Sequence, residues 1–139
     1  MSEERCGLTV SSVIVIDGDP AQVVGAIDPL SDLREMIEST GCFVVHVLDE
    51  GDQRLAAMFA GTYPLRPFED LEVEAGSHGP VIGGERTVAH CRFQGAERVG
   101  YLDLVRGSIE RIDIAPHPAS PLAFYRGHYR RLEPGAPPS

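Results

Sequence analysis

Two β-rich runs separated by a four-residue breaker constrain this chain more than any other feature. Gly7-Leu8-Thr9-Val10-Ser11-Ser12-Val13-Ile14-Val15-Ile16 is followed, after Asp17-Gly18-Asp19-Pro20, by Ala21-Gln22-Val23-Val24-Gly25-Ala26-Ile27. Asp and Gly take up turn dihedrals readily and Pro cannot continue a central ladder, so the stretch predicts a β-hairpin. The alternation of a strand puts Thr9 and Ser11 on one face and Ser12 on the other. Hydroxyls in that register serve either a solvated face or the polar edge of a ligand.

The next element is a helix. Asp28-Pro29-Leu30-Ser31 supplies a turn and a capping hydroxyl, Leu33, Met36 and Ile37 recur at helical spacing, Asp32 and Glu35 occupy the first turn, and Gly41 ends it. Phe43 to Leu48 is apolar on both faces apart from His46 and reads as a central, doubly covered strand, with His46 a core histidine bonded through one ring nitrogen. A second helix is expected from about Asp52 to Ala60, with Leu55, Met58 and Phe59 as its stripe and Gly61 as its stop. Thr62 to Gly84 carries three prolines and several glycines without periodicity and reads as a long surface excursion. Strands are expected again from Arg86 to Phe93 and, after a turn at Gly95-Ala96-Glu97-Arg98, from Val99 to Ile114 with a bend at Gly107. His117 falls in a loop, Pro121 to Leu132 forms a hairpin around Arg126-Gly127, and Glu133 to Ser139 is a disordered Pro-rich tail. Six or seven strands with two short helices make a mainly β chain, a small barrel with helices at its ends.

With 139 residues the chain is expected to form one domain over residues 7–132, after a short lead at 1–6. Its formal charge is −9, from 21 acidic and 12 basic residues, with the arginines scattered. Such a surface repels a phosphate backbone, so neither nucleic acid nor an anionic membrane is expected as a partner. Cys6, Cys42 and Cys91 lie far apart, an odd count that argues for a reduced compartment. The acidic start is unlike a signal peptide, no stretch approaches a membrane span, and a cytoplasmic protein is expected. His46, His78, His90, His117 and His128 have no ligand spacing, so no metal site is expected, and a metal- or haem-binding relative would rest on those scattered histidines alone.

In this order the elements resemble the flavin reductase-like family of FMN-binding split β-barrels, the group with the small NAD(P)H:flavin oxidoreductases of two-component monooxygenases. Gly7 to Ser12 reproduces the family's Gly-Leu-Thr-Val-Ser-Ser run, and Asp19-Pro20 its following turn. Ser31, Gly41, Phe43 and Val47-Leu48 match its helix and next strand. Gln53, Ala56, Phe59 and Ala60 match Gln-x-x-Ala-x-x-Phe-Ala. Gly79 to Gly84 with Cys91 matches the Gly-x-Pro-Val-Leu segment and its strand, and Pro121-Leu122 with Tyr125, Gly127 and Tyr129 the closing element. Each piece is short, and the specificity lies in six of them in the right order from Gly7 to Leu132.

The resemblance implies a Greek-key-like split barrel that forms a homodimer, binds FMN or FAD where two barrels meet, uses NAD(P)H and serves a monooxygenase partner. It implies that Thr9, Val10, Ser11 and Ser12 lie along the ring and ribityl, opposite the backbone of Ala26, Ile27 and Asp28. Ser31 takes the phosphate at a helix start, and Phe59-Ala60 closes one side. A helix N-terminus is an anion site on physical grounds as well. Ser31 can be cap and phosphate ligand at once.

Three departures accompany the match. The family usually carries a helix and a strand ahead of Gly-Leu-Thr-Val, and only Met1 to Cys6 precede it here, which predicts a barrel edge that needs covering. Gly100-Tyr101-Leu102 stands where many members have Gly-Asp-His, and Leu102 neither donates nor accepts a hydrogen bond. Ser31-Asp32-Leu33 replaces Ser-x-Thr, adding a carboxylate beside a phosphate. No residue is singled out as a proton donor. The alternative reading is a non-catalytic dimeric split barrel that binds flavin or another flat cofactor, or an accessory subunit.

Overall fold

The computed structural model describes residues 5–60, 68, 71–116, 122–125 and 128–131. In chain order the elements are β1 (Val13–Ile16), β2 (Gln22–Ile27), α1 (Asp32–Thr40), β3 (Cys42–His46), α2 (Gln53–Phe59), β4 (Val73–Ala75), β5 (Pro80–Ile82), β6 (Val88–Val99), β7 (Leu102–Asp113), β8 (Leu122–Tyr125) and β9 (His128–Arg131). Five strands form an antiparallel sheet in the order β1-β2-β7-β6-β3, and β4–β5 and β8–β9 are separate hairpins. The mainly β architecture with two short helices is the expected one.

Helix α1 follows its sequence signals closely. Ser31 is its N-cap in extended geometry, and Gly41 closes it in the left-handed region at φ 75, where a residue without Cβ is unstrained. Ile37 is buried with Ile27 and Val105, and Val10, Leu33, Phe43 and Phe93 pack around them. A second cluster joins Leu55, Met58 and Phe59 of α2 to Ile82 of β5, with Leu48, Phe68 and Leu71 against it.

Several expectations are corrected. The first strand is Val13–Ile16 only, so Thr9, Ser11 and Ser12 are not on a strand and do not alternate across one. The segment is held instead by bonds to α2 and β2: the Thr9 N–H reaches Phe59 O at 3.1 Å and the Ala26 N–H reaches Ser12 O at 3.1 Å. Gly95 to Arg98 is not a turn, because β6 runs through it to Val99 and the reversal falls on Gly100-Tyr101, with Gly100 at φ 59. Gly107 is not a bend. The irregularity nearest it is in β6, where the register shifts between Phe93 and Gly95 opposite Gly107 and Arg106, and a second shift lies between His90 and Cys91 opposite Arg111 and Ile109.

β3 is an edge strand of the described sheet, paired with β6. Its apolar pattern reports two covered faces, not two paired edges. Phe43 packs into the core, while Val44 and His46 meet the β4–β5 hairpin through Gly79 and Ile82. That hairpin occupies part of the stretch expected to be loop. His46 is the singly bonded histidine anticipated, accepting the Ile82 N–H at Nε2 over 3.0 Å. Pairing of Leu122 with Arg131 through Tyr125 with His128 gives the expected closing hairpin. Gly61, Thr62 to Pro67, His117, Pro121, Arg126-Gly127 and the tail from Glu133 lie outside the described residues.

Candidate functional site

The corner between β2 and α1 is built by short-range hydrogen bonds. Asp28 Oδ1 accepts the Leu30 N–H at 2.9 Å, and Asp28 O accepts both the Ser31 N–H at 3.1 Å and the Ser31 hydroxyl at 2.7 Å. This turn delivers Ser31 to the N-cap, where its Oγ accepts the Arg34 N–H at 3.2 Å. The single hydroxyl proton of Ser31 is thereby committed to Asp28. The N–H groups of Asp32 and Leu33 belong to the first turn, which an α-helix leaves without intrahelical acceptors.

Ser31, Asp32 and Leu33 line an open cleft of about 220 Å³. Phe59 and Phe68 form its aromatic side, their rings 5.0 Å apart at 72° in an edge-to-face contact. The leading segment, Arg5 to Leu8, completes it. Gly7 lies so close to Phe59 that a Cβ there would stand 2.9 Å from Cδ1 and Cε1 of the ring. Thr9 secures this approach, its Oγ1 donating to Ala56 O at 2.5 Å.

Of the residues anticipated, Ser31 and Phe59 therefore meet at one cleft. Asp28 builds the corner, and Thr9 fastens the leading segment to α2. Val10 and Ile27 have their side chains in the core. Ser11, Ser12 and Ala60 are exposed, and Ala26 is half-buried and bonded to Ser12. Arg5 and Phe68 were not anticipated. Arg5 sits in the acidic lead and Phe68 in a stretch without periodicity, so neither carried a pattern.

The donor set suits an anionic group at the α1 start. The first-turn N–H groups of Asp32 and Leu33 and the Arg5 cation favour phosphate, while the Asp32 carboxylate opposes it. The Phe59 and Phe68 rings suit a flat conjugated neighbour. Behind the corner, Asp103 bridges Arg98 and Arg34, which hold its carboxyl below the usual carboxylate range. At the β6–β7 turn Tyr101 is 95 % exposed and Leu102 also faces outward. Among the described residues no group of three or more His, Cys, Asp or Glu is placed to hold a metal ion, and no helix is long and apolar enough to cross a membrane.

Comparison with known proteins matches this geometry to one family. The flavin reductase like domain matches residues 1–133. The reductase component of 4-hydroxyphenylacetate 3-monooxygenase from Thermus thermophilus is 28 % identical over 132 residues, which is 95 % of this chain and 83 % of that one. An NADH-dependent FMN reductase from Streptomyces nodosus subsp. asukaensis is 31 % identical over 135 residues, 94 % of this chain and 73 % of that one. Nitrilotriacetate monooxygenase component B from Mycobacterium thermoresistibile has the same fold, with a TM-score of 0.85, 27 % identity, and coverage of 96 % of this chain and 76 % of that one. A match that runs from the first residue to beyond β9 takes in the corner, the cleft and the sheet together, and the chain belongs to the flavin reductase like domain family.

Proposed function

We propose that this protein is an NAD(P)H-dependent flavin reductase that takes FMN or FAD at the cleft between α1 and α2. The observation that carries the reading is the meeting of Ser31 and Phe59 at one cleft. Bound flavin supplies the hydride-accepting chemistry, and the protein supplies position and electrostatics. The first-turn N–H groups of Asp32 and Leu33 and the Arg5 cation hold the phosphate, and the Ser31 hydroxyl joins them by turning its proton from Asp28 O to the anion. Phe59 and Phe68 flank the ring system and keep water from one side of it. Ser11 and Ser12, both exposed and the latter bonded to Ala26, continue along the ribityl and ring, and Thr9, Val10, Ile27, Asp28 and Ala60 contribute mainly backbone. Relatives that are reductase components of monooxygenases support delivery of reduced flavin to such a partner. Three cysteines that form no disulfide suit the cytoplasm.

A homodimer completes the site in this reading. Pockets that enclose a ligand of this size run to about 300–1,000 Å³, above the roughly 220 Å³ of the cleft, so a second wall is needed. β1 offers a surface for it, with Val13, Ile14, Val15 and Ile16 all exposed.

Tyr101 and Leu102, exposed at the β6–β7 reversal and bringing no imidazole there, favour a second reading, a dimeric flavin-binding protein without turnover. Oxidation of NADH or NADPH with FMN or FAD separates the two. The companion measurement is flavin titration by fluorescence quenching on wild type and Ser31→Asp. Asp caps a helix as well as Ser does, so the variant keeps α1 and adds a charge facing the phosphate. Nicotinamide oxidation, with FMN affinity weakened by about tenfold or more in the variant through like-charge repulsion, is the expected result. A protein that neither binds flavin nor oxidises nicotinamide refutes the assignment.

A further inference from the structure

Asp103 holds both ends of the loop that builds the phosphate corner. Its backbone lies in β7 opposite Ile27, the last residue of β2. Asp28 to Ser31 follow at once, and the helix they start carries Arg34 in its first turn, with Nε 3.0 Å from Asp103 Oδ2. The main chain of Asp103 thus fixes where the loop leaves the sheet, and its carboxylate fixes where the loop enters the helix. Arg34 is itself tied into the corner: its N–H bonds Ser31 Oγ, its guanidinium stands 5.2 Å over the Phe93 ring, and Nη1 reaches Glu38 Oε2 at 3.0 Å.

The two arginines on Asp103 are not equivalent. The Arg34 and Asp103 side chains are 14 % and 13 % exposed, whereas Arg98, 2.7 Å away on Oδ1, is 59 % exposed. Water competes little for the inner pair and strongly for the outer one. The inner pair therefore has the stiffness to set a backbone position, and Arg98 serves to turn the carboxylate.

We propose that Asp103, acting through Arg34, is a positioning residue for phosphate recognition: it sets the Ser31 corner that distinguishes FMN and FAD from unphosphorylated riboflavin. This rests on the flavin-reductase reading of the cleft. Removing Asp103 alone would also unmask two guanidinium groups near an anion site, an effect of opposite sign. The test therefore uses the double variant Asp103→Asn with Arg98→Gln, which removes one charge of each sign and leaves Arg34 charged, with its Glu38 and Phe93 contacts but without its ion pair to β7.

Dissociation constants for FMN and riboflavin are measured on wild type, the double variant and Arg98→Gln, with thermal unfolding alongside. We expect the double variant to lose about tenfold in FMN affinity, the scale of one hydrogen bond to a charged group, while riboflavin stays within about twofold. Arg98→Gln alone keeps FMN affinity within about twofold, because the inner pair survives. Parallel weakening of both flavins shows a merely structural role and overturns the proposal, as does unchanged FMN binding. If the double variant does not fold, Arg34→Lys, which keeps the charge and loses the Nε contact, is read by the same FMN-to-riboflavin split. Wild type that binds both flavins equally removes the phosphate assignment of the α1 start and this inference with it, and wild type that binds neither removes the flavin-reductase reading itself.

Discussion

His46 Nε2 accepts the Ile82 N–H at 3.0 Å, so β3 and the β4–β5 hairpin are joined through an imidazole that must be neutral to make the bond. Burial, with Arg86 and His90 nearby, pushes the pKa of His46 down to about 4 from its ordinary 6.5. Below pH 6.5 the unfolded chain takes up a proton at this position and the folded chain does not, so stability falls as pH drops from about 6.5 towards about 4. Half-burial limits the loss to roughly 1–2 kcal/mol. His46→Gln keeps an acceptor for Ile82 and cannot titrate. Denaturant unfolding between pH 7 and 4 should show a shallower decline in the variant than in wild type, whereas parallel curves would remove His46 as the cause.

Gly107 faces the Phe43 ring, and a Cβ there would stand 2.7 Å from Phe43 Cε1 and 3.2 Å from Arg92 O. The residue is glycine for lack of space, not for an unusual dihedral. Gly107→Ala should cost about 1–3 kcal/mol, the usual penalty for overpacking a closed core. Phe43→Leu removes the obstructing ring atoms. In a double-mutant cycle the alanine should cost much less in the Phe43→Leu background, and additive losses would place the strain elsewhere.

How far the sequence could be read depended on whether a feature was local. The α1 helix announces itself within ten residues, through Ser31, the Leu33, Met36 and Ile37 stripe and Gly41, and it appears as expected. The turn at Gly100-Tyr101 was missed because Gly95 to Arg98 offers a better turn composition. A bulge at Gly95, with φ 153, absorbs that glycine inside a continuous strand. In the site, Ser31 and Phe59 were legible because a family pattern marks them. Arg34 and Asp103 are 69 residues apart and obey no periodicity, so only the pairing of β2 with β7 brings them together.

Arg86 clamps the start of α2 to the β5 end. It reaches Asp52 through Nε at 3.3 Å and Nη2 at 3.1 Å, and donates to Gly83 O at 2.8 Å through Nη1. Both side chains of the pair are largely buried, and although burial pushes Asp52 up, the guanidinium outweighs it and holds the carboxyl below its ordinary value. Arg86→Met leaves the largely buried carboxylate without its cation, with the Asp49 N–H still on Oδ2 at 3.1 Å, and should cost about 2–4 kcal/mol. Arg86→Lys supplies charge without the planar fork and should recover less than half of that. Chemical denaturation of the three proteins at pH 7 checks the order, and full recovery by lysine would show that charge alone matters there.

β1 is the least protected apolar element among the described residues, with Ile14 at 63 % and Val15 at 66 % exposure on opposite faces of one short strand. A strand paired on one side to β2, with branched apolar side chains exposed above and below, presents backbone donors and acceptors together with hydrophobic surface. A second copy of the chain covers such an edge without unsatisfied groups, and the cleft is too small to enclose a flavin unaided. Ile14→Lys with Val15→Lys places charge on both faces and leaves the pairing to β2 intact. Sedimentation velocity should show a wild-type dimer and a monomeric variant, with FMN affinity lower in the monomer. A variant that stays dimeric would move the interface away from β1. A monomeric variant that binds FMN as tightly as wild type would show that one chain holds the flavin by itself.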